Sequence, residues 1–208
     1  MDYGILLSFM GATMLLALTP GPDNIFVLMQ SMVNGFKFGF ATIIGLMTGC
    51  IVHTTLVAFG VSAIIQANDY LFFGLRLFGA LYLLYLAYRV FKSSSEISFS
   101  DEQIKKKTTI ELFKQGFIMN VLNPKVSIFF LALFPGFLFS DELTEVVQFY
   151  TLGFLFIASS FVVFTLIALL AGVISRYIKK NPESGVVLKW LQIVVFVGIA
   201  IFILIPDK

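Results

Sequence analysis

Six long apolar stretches, two of them interrupted by proline, predict an all-α integral membrane protein of six transmembrane helices, with helices one and four broken. Three observations carry this expectation. The chain is 59% hydrophobic and 12% charged, with mean hydropathy +0.97, whereas ordinary soluble domains carry about 25% charged residues. A soluble fold of 208 residues could not bury that much apolar surface. Each stretch also has the roughly 20 residues needed to cross about 30 Å of hydrocarbon. Finally, the positive charges alternate from loop to loop, as they do in multi-pass membrane proteins.

The stretches run over about 4–33, 38–66, 70–91, 115–139, 147–174 and 186–205. The first opens without the basic region of a cleaved signal peptide, so it is expected to be retained as a span. It is unusually long because it contains Thr19-Pro20-Gly21-Pro22-Asp23-Asn24, and it reads as two half-helices joined there. Gly21 as cap and Pro22 as first helical residue would start the second half. Asp23 and Asn24 then fall in its first turn, beside free amides and the positive end of the helix dipole. A carboxylate at this depth costs several kcal/mol unless paired, hydrated or protonated, which makes Asp23 a functional candidate. Capping of its own helix is the plainer alternative for the same residue.

The second stretch carries Gly45, Gly49 and His53 at four-residue spacing, so the three share one face. Small residues there allow close helix approach or leave room for a ligand. The single histidine could carry a proton, or could simply pack with a hydrogen bond. On the third stretch, Arg76 lies near one end and is expected to snorkel. Tyr82, Tyr85 and Tyr88 read as a packing and interface stripe.

The polar, serine-rich segment 93–109 has no apolar periodicity and is expected to be a flexible cytoplasmic linker. On this reading the chain is one transmembrane domain, with half one over 1–92, the linker over 93–114 and half two over 115–208. Three spans precede the linker and three follow, so related halves would have to be inverted in the membrane as a 3+3 repeat. Pro20 to Pro124 and Gly49 to Gly153 both span 104 residues, in keeping with such a repeat.

The fourth stretch contains the second break, Asn123-Pro124-Lys125. Asn123 is a good N-cap and Pro124 a good first helical residue. Lys125 is too deep to reach the surface easily and needs a counter-charge, for which Asp23 is the match in kind. A structural Asp23–Lys125 pair and direct contact with substrate are both open for these two residues. Breaks of this type at membrane depth mark the binding sites of transporters built on inverted repeats. Both charges are therefore expected to face one central cavity, with His53 on its wall.

Eleven of the 14 lysines and arginines fall in or beside the loops after stretches one, three and five. Only Lys208 falls on the other side, and Arg76 and Lys125 lie within stretches. This bias puts those three loops in the cytoplasm and both termini outside.

Taken together and in this order, four motifs resemble the LysE/RhtB family of bacterial amino-acid exporters over essentially the whole chain. They are Thr19-Pro20-Gly21-Pro22-Asp23, the stripe Gly45, Gly49 and His53, Gly79-Ala80-Leu81-Tyr82-Leu83, and Asn123-Pro124-Lys125. The resemblance implies six spans, an inner-membrane location, and proton-driven efflux of an amino acid or close derivative. Asp23 is the one deeply placed acid, which favours neutral substrates over basic ones.

Other functions fit less well. Efflux of a metal ion such as cadmium would want more soft ligands than Cys50, His53 and Asp23. One cysteine excludes an internal disulfide and a thiol-pair redox mechanism. A non-transporting assembly subunit would not need Asp23 and Lys125 inside the membrane. No enzyme activity, cofactor, metal or nucleic-acid partner is expected. The expected partners are a small amino-acid substrate, protons and the lipid bilayer, and a homo-oligomer is compatible with the sequence.

Overall fold

A computed structural model describes residues 2–94, 107–181 and 183–205. Most of the expected linker, with Lys105 and Lys106, lies outside the described residues, as does Lys208. All regular structure among the described residues is helical. Four helices are long and apolar enough to cross a membrane, and six spans result if each of two bent pairs counts as one. The protein is an all-α integral membrane protein.

The first bent pair is α1 (Tyr3–Leu18) and α2 (Pro22–Asn34), which meet at 63°. Gly35 follows in a left-handed conformation (φ 97°), which lets α3 (Phe36–Leu56) start at once. α3 runs on through a π-helical turn (Val57–Val61) into α4 (Ser62–Ala67), and together they form one apolar rod. α5 (Asp69–Lys92) covers the third apolar stretch. The second bent pair is α6 (Thr109–Val121) and α7 (Pro124–Leu133), at 51°, with a 3₁₀ turn (Phe134–Phe137) extending α7. α8 (Glu145–Leu169), the short α9 (Ala171–Lys180) and α10 (Ser184–Leu204) complete the chain.

Two helix ends depart from the apolar stretches, each for a local reason. α6 starts at Thr109, six residues before the stretch does. There Thr108 and Glu111 form a capping box in which each side chain satisfies the other's backbone amide. The fifth stretch is not one rod over 147–174. α8 stops at Leu169, Leu170 leaves helical geometry (φ −91°, ψ 9°), and α9 begins. α9 carries Arg176, Lys179 and Lys180 outward while Ile174 and Ile178 line a cleft, a composition suited to the membrane surface rather than its interior.

α3 crosses α6 most extensively, and α5 lies along α10. The α3–α6 crossing depends on glycine. A Cβ on Gly45 would strike the Phe113 carbonyl, and one on Gly116 would strike the Thr42 carbonyl, so each backbone lies directly on the other. α8 packs on α1, α2 and α3, with Gly153 against Thr54. A phenylalanine cluster of Phe9, Phe129, Phe130, Phe134 and Phe156 fills the space between α1, α7 and α8. Leu81, Tyr85, Tyr88, Phe154 and Val194 are exposed on the outside of the bundle, where hydrocarbon would replace water. The Arg76 guanidinium donates to the carbonyls of Ile203 (2.8 Å) and Ile205 (2.7 Å), capping the C-terminus of α10.

Candidate functional site

Both breaks follow from proline chemistry. Pro20 and Pro22 have no N–H to continue a helical ladder, and each pushes its predecessor into an extended conformation. Thr19 (ψ 116°) and Gly21 (ψ 176°) are extended accordingly. The carbonyls so released find side-chain partners. Asn24 Nδ2 donates to the Ala17 carbonyl (2.6 Å), and Lys125 Nζ donates to the Thr19 carbonyl (3.4 Å). At the second break Asn123 is extended ahead of Pro124, and its Oδ1 accepts from the Lys125 amide (3.0 Å).

One hydrogen bond ties the two breaks together. Asn123 Nδ2 donates to Asp23 Oδ2 at 2.7 Å, a contact between residues 100 positions apart. Asn123 thus caps α7 with its oxygen and holds the carboxylate of α2 with its nitrogen. Asp23 takes this bond from Asn123 rather than from Lys125, and its other oxygen, Oδ1, is buried with no hydrogen-bond partner. Lys125 still belongs to the site. Its Nζ lies over the Phe196 ring (5.5 Å to the centroid), and a Cβ on Gly21 would stand 3.7 Å from it.

Asp23 and Lys125 line one small chamber of about 40 Å³ at the centre of the bundle. Asn24, Cys50, Asn120, Phe156 and Ser160 share its wall. The chamber is little larger than the roughly 30 Å³ that one water occupies in the liquid. A second, apolar cleft of about 310 Å³ lies beside it, lined in part by Leu18, Pro20, Ile25, Leu28, Ile174 and Leu188. Asn24 is the one residue of the described structure that lines both spaces.

The remaining expected site residues take supporting positions. Pro22 and Pro124 are exposed and contribute geometry. Gly45 and Gly49 face α6, where a Cβ on Gly49 would come within 2.6 Å of Asn120 Oδ1. His53 is not among the residues lining the chamber. Its Nε2 sits 3.1 Å from the Asn120 carbonyl. A carbonyl only accepts, so Nε2 carries the hydrogen in this arrangement. His53 therefore reaches the chamber through Asn120, while Cys50, one turn earlier, lines it directly.

Reading the sequence missed Asn120 and Ser160. Asn120 carried a usable signal, since a carboxamide one turn before a helix break inside an apolar segment needs a reason to be there. Ser160 carried none, because serines are common in membrane helices, where they often bond back to their own backbone.

The LysE type translocator family model matches residues 14–206. A leucine efflux protein of Klebsiella pneumoniae subsp. pneumoniae is 26% identical over 201 residues, covering 96% of this chain and 95% of its own. A homoserine/homoserine lactone efflux protein of Salmonella typhimurium is 32% identical over 165 residues, 79% of each chain. No solved structure matches. The family match spans both breaks, every residue that lines the central chamber and the helices that build them from the last turns of α1 onward, so this chain belongs to the LysE type translocator family.

Proposed function

We propose that this protein is a secondary transporter that exports amino acids or close derivatives across the cytoplasmic membrane, with neutral substrates favoured. The observation that supports this best is the pairing of opposite charges on one buried chamber, Asp23 from α2 and Lys125 from α7. A zwitterion matches that pair, with its carboxylate toward Lys125 and its ammonium toward Asp23. The relatives named for leucine and homoserine efflux agree in substrate class.

The chamber is too small for a whole amino acid, since ligand pockets usually span about 300–1,000 Å³. Transport then requires it to open. The neighbouring cleft reaches the required size and is bordered by Ser93 and Lys189, at the end where the basic loops gather. In our reading this is the cytoplasmic vestibule, and its apolar wall suits an uncharged side chain. Asn24, held on the Ala17 carbonyl, forms the partition that moves to admit substrate. On the opposite side the phenylalanine cluster closes the path outward. Alternating access would exchange these two closures, as one three-helix half rocks against its inverted counterpart. Protons would supply the driving force, with His53 as carrier through its contact with Asn120.

Cells expressing the protein and preloaded with leucine- or homoserine-containing dipeptides should release the free amino acid faster than cells lacking it. Equal release for every amino acid tried would refute the exporter. The proposed orientation predicts that a cysteine at Ser95 is shielded from a membrane-impermeant thiol reagent in intact cells, while one at Lys208 is labelled. Labelling at Ser95 alone would reverse the topology.

A further inference from the structure

We infer that Lys189 forms an entry station for the substrate's carboxylate at the mouth of the apolar cleft, ahead of the central chamber. This rests on the reading of that cleft as the vestibule of an amino-acid exporter, and it names the residue that selects what enters.

The cleft, at about 310 Å³, has the size of a small-molecule site, whereas the chamber at about 40 Å³ does not. Its wall is mostly aliphatic, and among the described residues Lys189 is the one ionisable side chain on it. A space with a single cation and apolar walls suits a ligand that joins an anionic group to an uncharged side chain. Gly185, Leu188, Lys189 and Gln192 all border the cleft, and their helical spacing puts them on one face of α10. Phe196, one turn beyond Gln192, continues that face, and the Lys125 ammonium sits 5.5 Å from its ring centroid. From Lys189 to Phe196 the helix rises about 10 Å. One face of α10 therefore leads from a cation at the mouth, past the Gln192 carboxamide, to the cation of the chamber. Asn24, which borders both spaces, stands at their junction.

Lys189 also has a structural role, and the two are compatible. Its Nζ donates to the carbonyl of Ser93, the C-cap of α5, at 2.7 Å. It also lies 5.8 Å from the centroid of the Phe91 ring. These contacts pin a half-buried ammonium at the cleft mouth. An ammonium carries three N–H groups, and the Ser93 carbonyl takes one. The others can donate to a carboxylate, which would then pass from Lys189 to Lys125 while the side chain stays against the apolar wall.

The test uses the full-length protein in inside-out membrane vesicles, where added substrate meets the cytoplasmic face, with right-side-out vesicles as the reference. Exchange of radiolabelled leucine gives the KM for leucine and the inhibition constant of leucinol, which keeps the ammonium and side chain but lacks the carboxylate. Lys189→Gln retains a donor for the Ser93 carbonyl and removes the charge. In inside-out vesicles it should raise the leucine KM about three- to fivefold, the value of one partly exposed ion pair. The leucinol constant should stay the same, so the preference for leucine falls by that factor. Lys189→Arg, which restores the cation, should restore the preference. High salt should narrow it more in the unmodified protein than in Lys189→Gln. In right-side-out vesicles the substitutions should leave the preference as it is. A merely structural Lys189 would shift leucine and leucinol together, and an unchanged ratio would overturn the station. Equal loss of preference at both faces would overturn it too, by placing Lys189 in the central recognition step. A third contrary result is a leucine KM that rises with phosphatidylglycerol content in proteoliposomes of the unmodified protein but not of Lys189→Gln. It would give the lysine to a phospholipid headgroup. If the unmodified protein exchanges leucine or homoserine but shows any of these results, only the station fails. If it exchanges neither, the exporter reading fails and the station with it.

Discussion

Replacing Asp23 by asparagine is expected to abolish efflux while the protein still folds and inserts. The substitution preserves size, and asparagine caps a helix about as well as aspartate. It also keeps an oxygen able to accept from Asn123 Nδ2, so the contact that ties the two breaks survives. What disappears is the one negative charge on the central chamber. A substrate ammonium brought into that space would then be a buried cation with no carboxylate of the protein to meet it, while the substrate's own carboxylate is taken by Lys125. Removing one partner of a buried charge pair typically costs about 3–5 kcal/mol, which corresponds to a loss of roughly a hundredfold or more in transport. Dipeptide-loaded cells with membrane levels checked by immunoblot would measure this. Normal efflux by the variant would reduce Asp23 to a capping residue and remove the basis of the proposed mechanism.

The second large effect is expected at Lys125, and it should appear in stability as well as in transport. Lys125→Met keeps the length of the side chain and its position near Phe196 but removes the cation. The Thr19 carbonyl, freed by Pro20, then loses its partner, and Asp23 is left as an isolated charge within the bundle. Thermal unfolding in detergent should show a destabilisation of about 3–5 kcal/mol, the usual cost of stranding one buried charge. Adding Asp23→Asn to this variant should recover most of that stability, because no net charge remains to be buried, yet efflux should stay absent. A double variant as unstable as Lys125→Met alone would mean that Lys125 acts through the Thr19 carbonyl and not through Asp23. Full efflux from the double variant would show that the chamber charges are dispensable.

Much of this architecture was legible before any fold was known, because it depends on interactions within a few residues. Membrane character follows from composition. The breaks at Pro20, Pro22 and Pro124 follow from a missing N–H and from steric pressure on the preceding residue, and both act locally wherever the helix sits. Gly45 and Gly49 left either a close helix approach or room for a ligand open, and the α3–α6 crossing takes the first. Even the early start of α6 was written locally in Thr108 and Glu111, although the apolar pattern alone passed over it.

Which side chains meet was a different kind of question. The bond from Asn123 to Asp23 joins positions 100 residues apart, and the pairing of Arg76 with the end of α10 joins positions 127 and 129 apart. Such contacts depend on how each helix is rotated about its axis and where it crosses its neighbours, and a difference of one residue turns a side chain by about a quarter turn. The Gly45–Gly116 crossing sets that rotation for α3 and α6. It presents Cys50 and Asn120 to the chamber and leaves His53 behind the Asn120 carbonyl. That two charged helix breaks lie inside a membrane bundle could be read from local sequence. That Asn123 rather than Lys125 holds the Asp23 carboxylate, and that Asn120 and Ser160 share the chamber wall, could not, because backbone breaks are made locally whereas a shared chamber exists only once separate helices have docked.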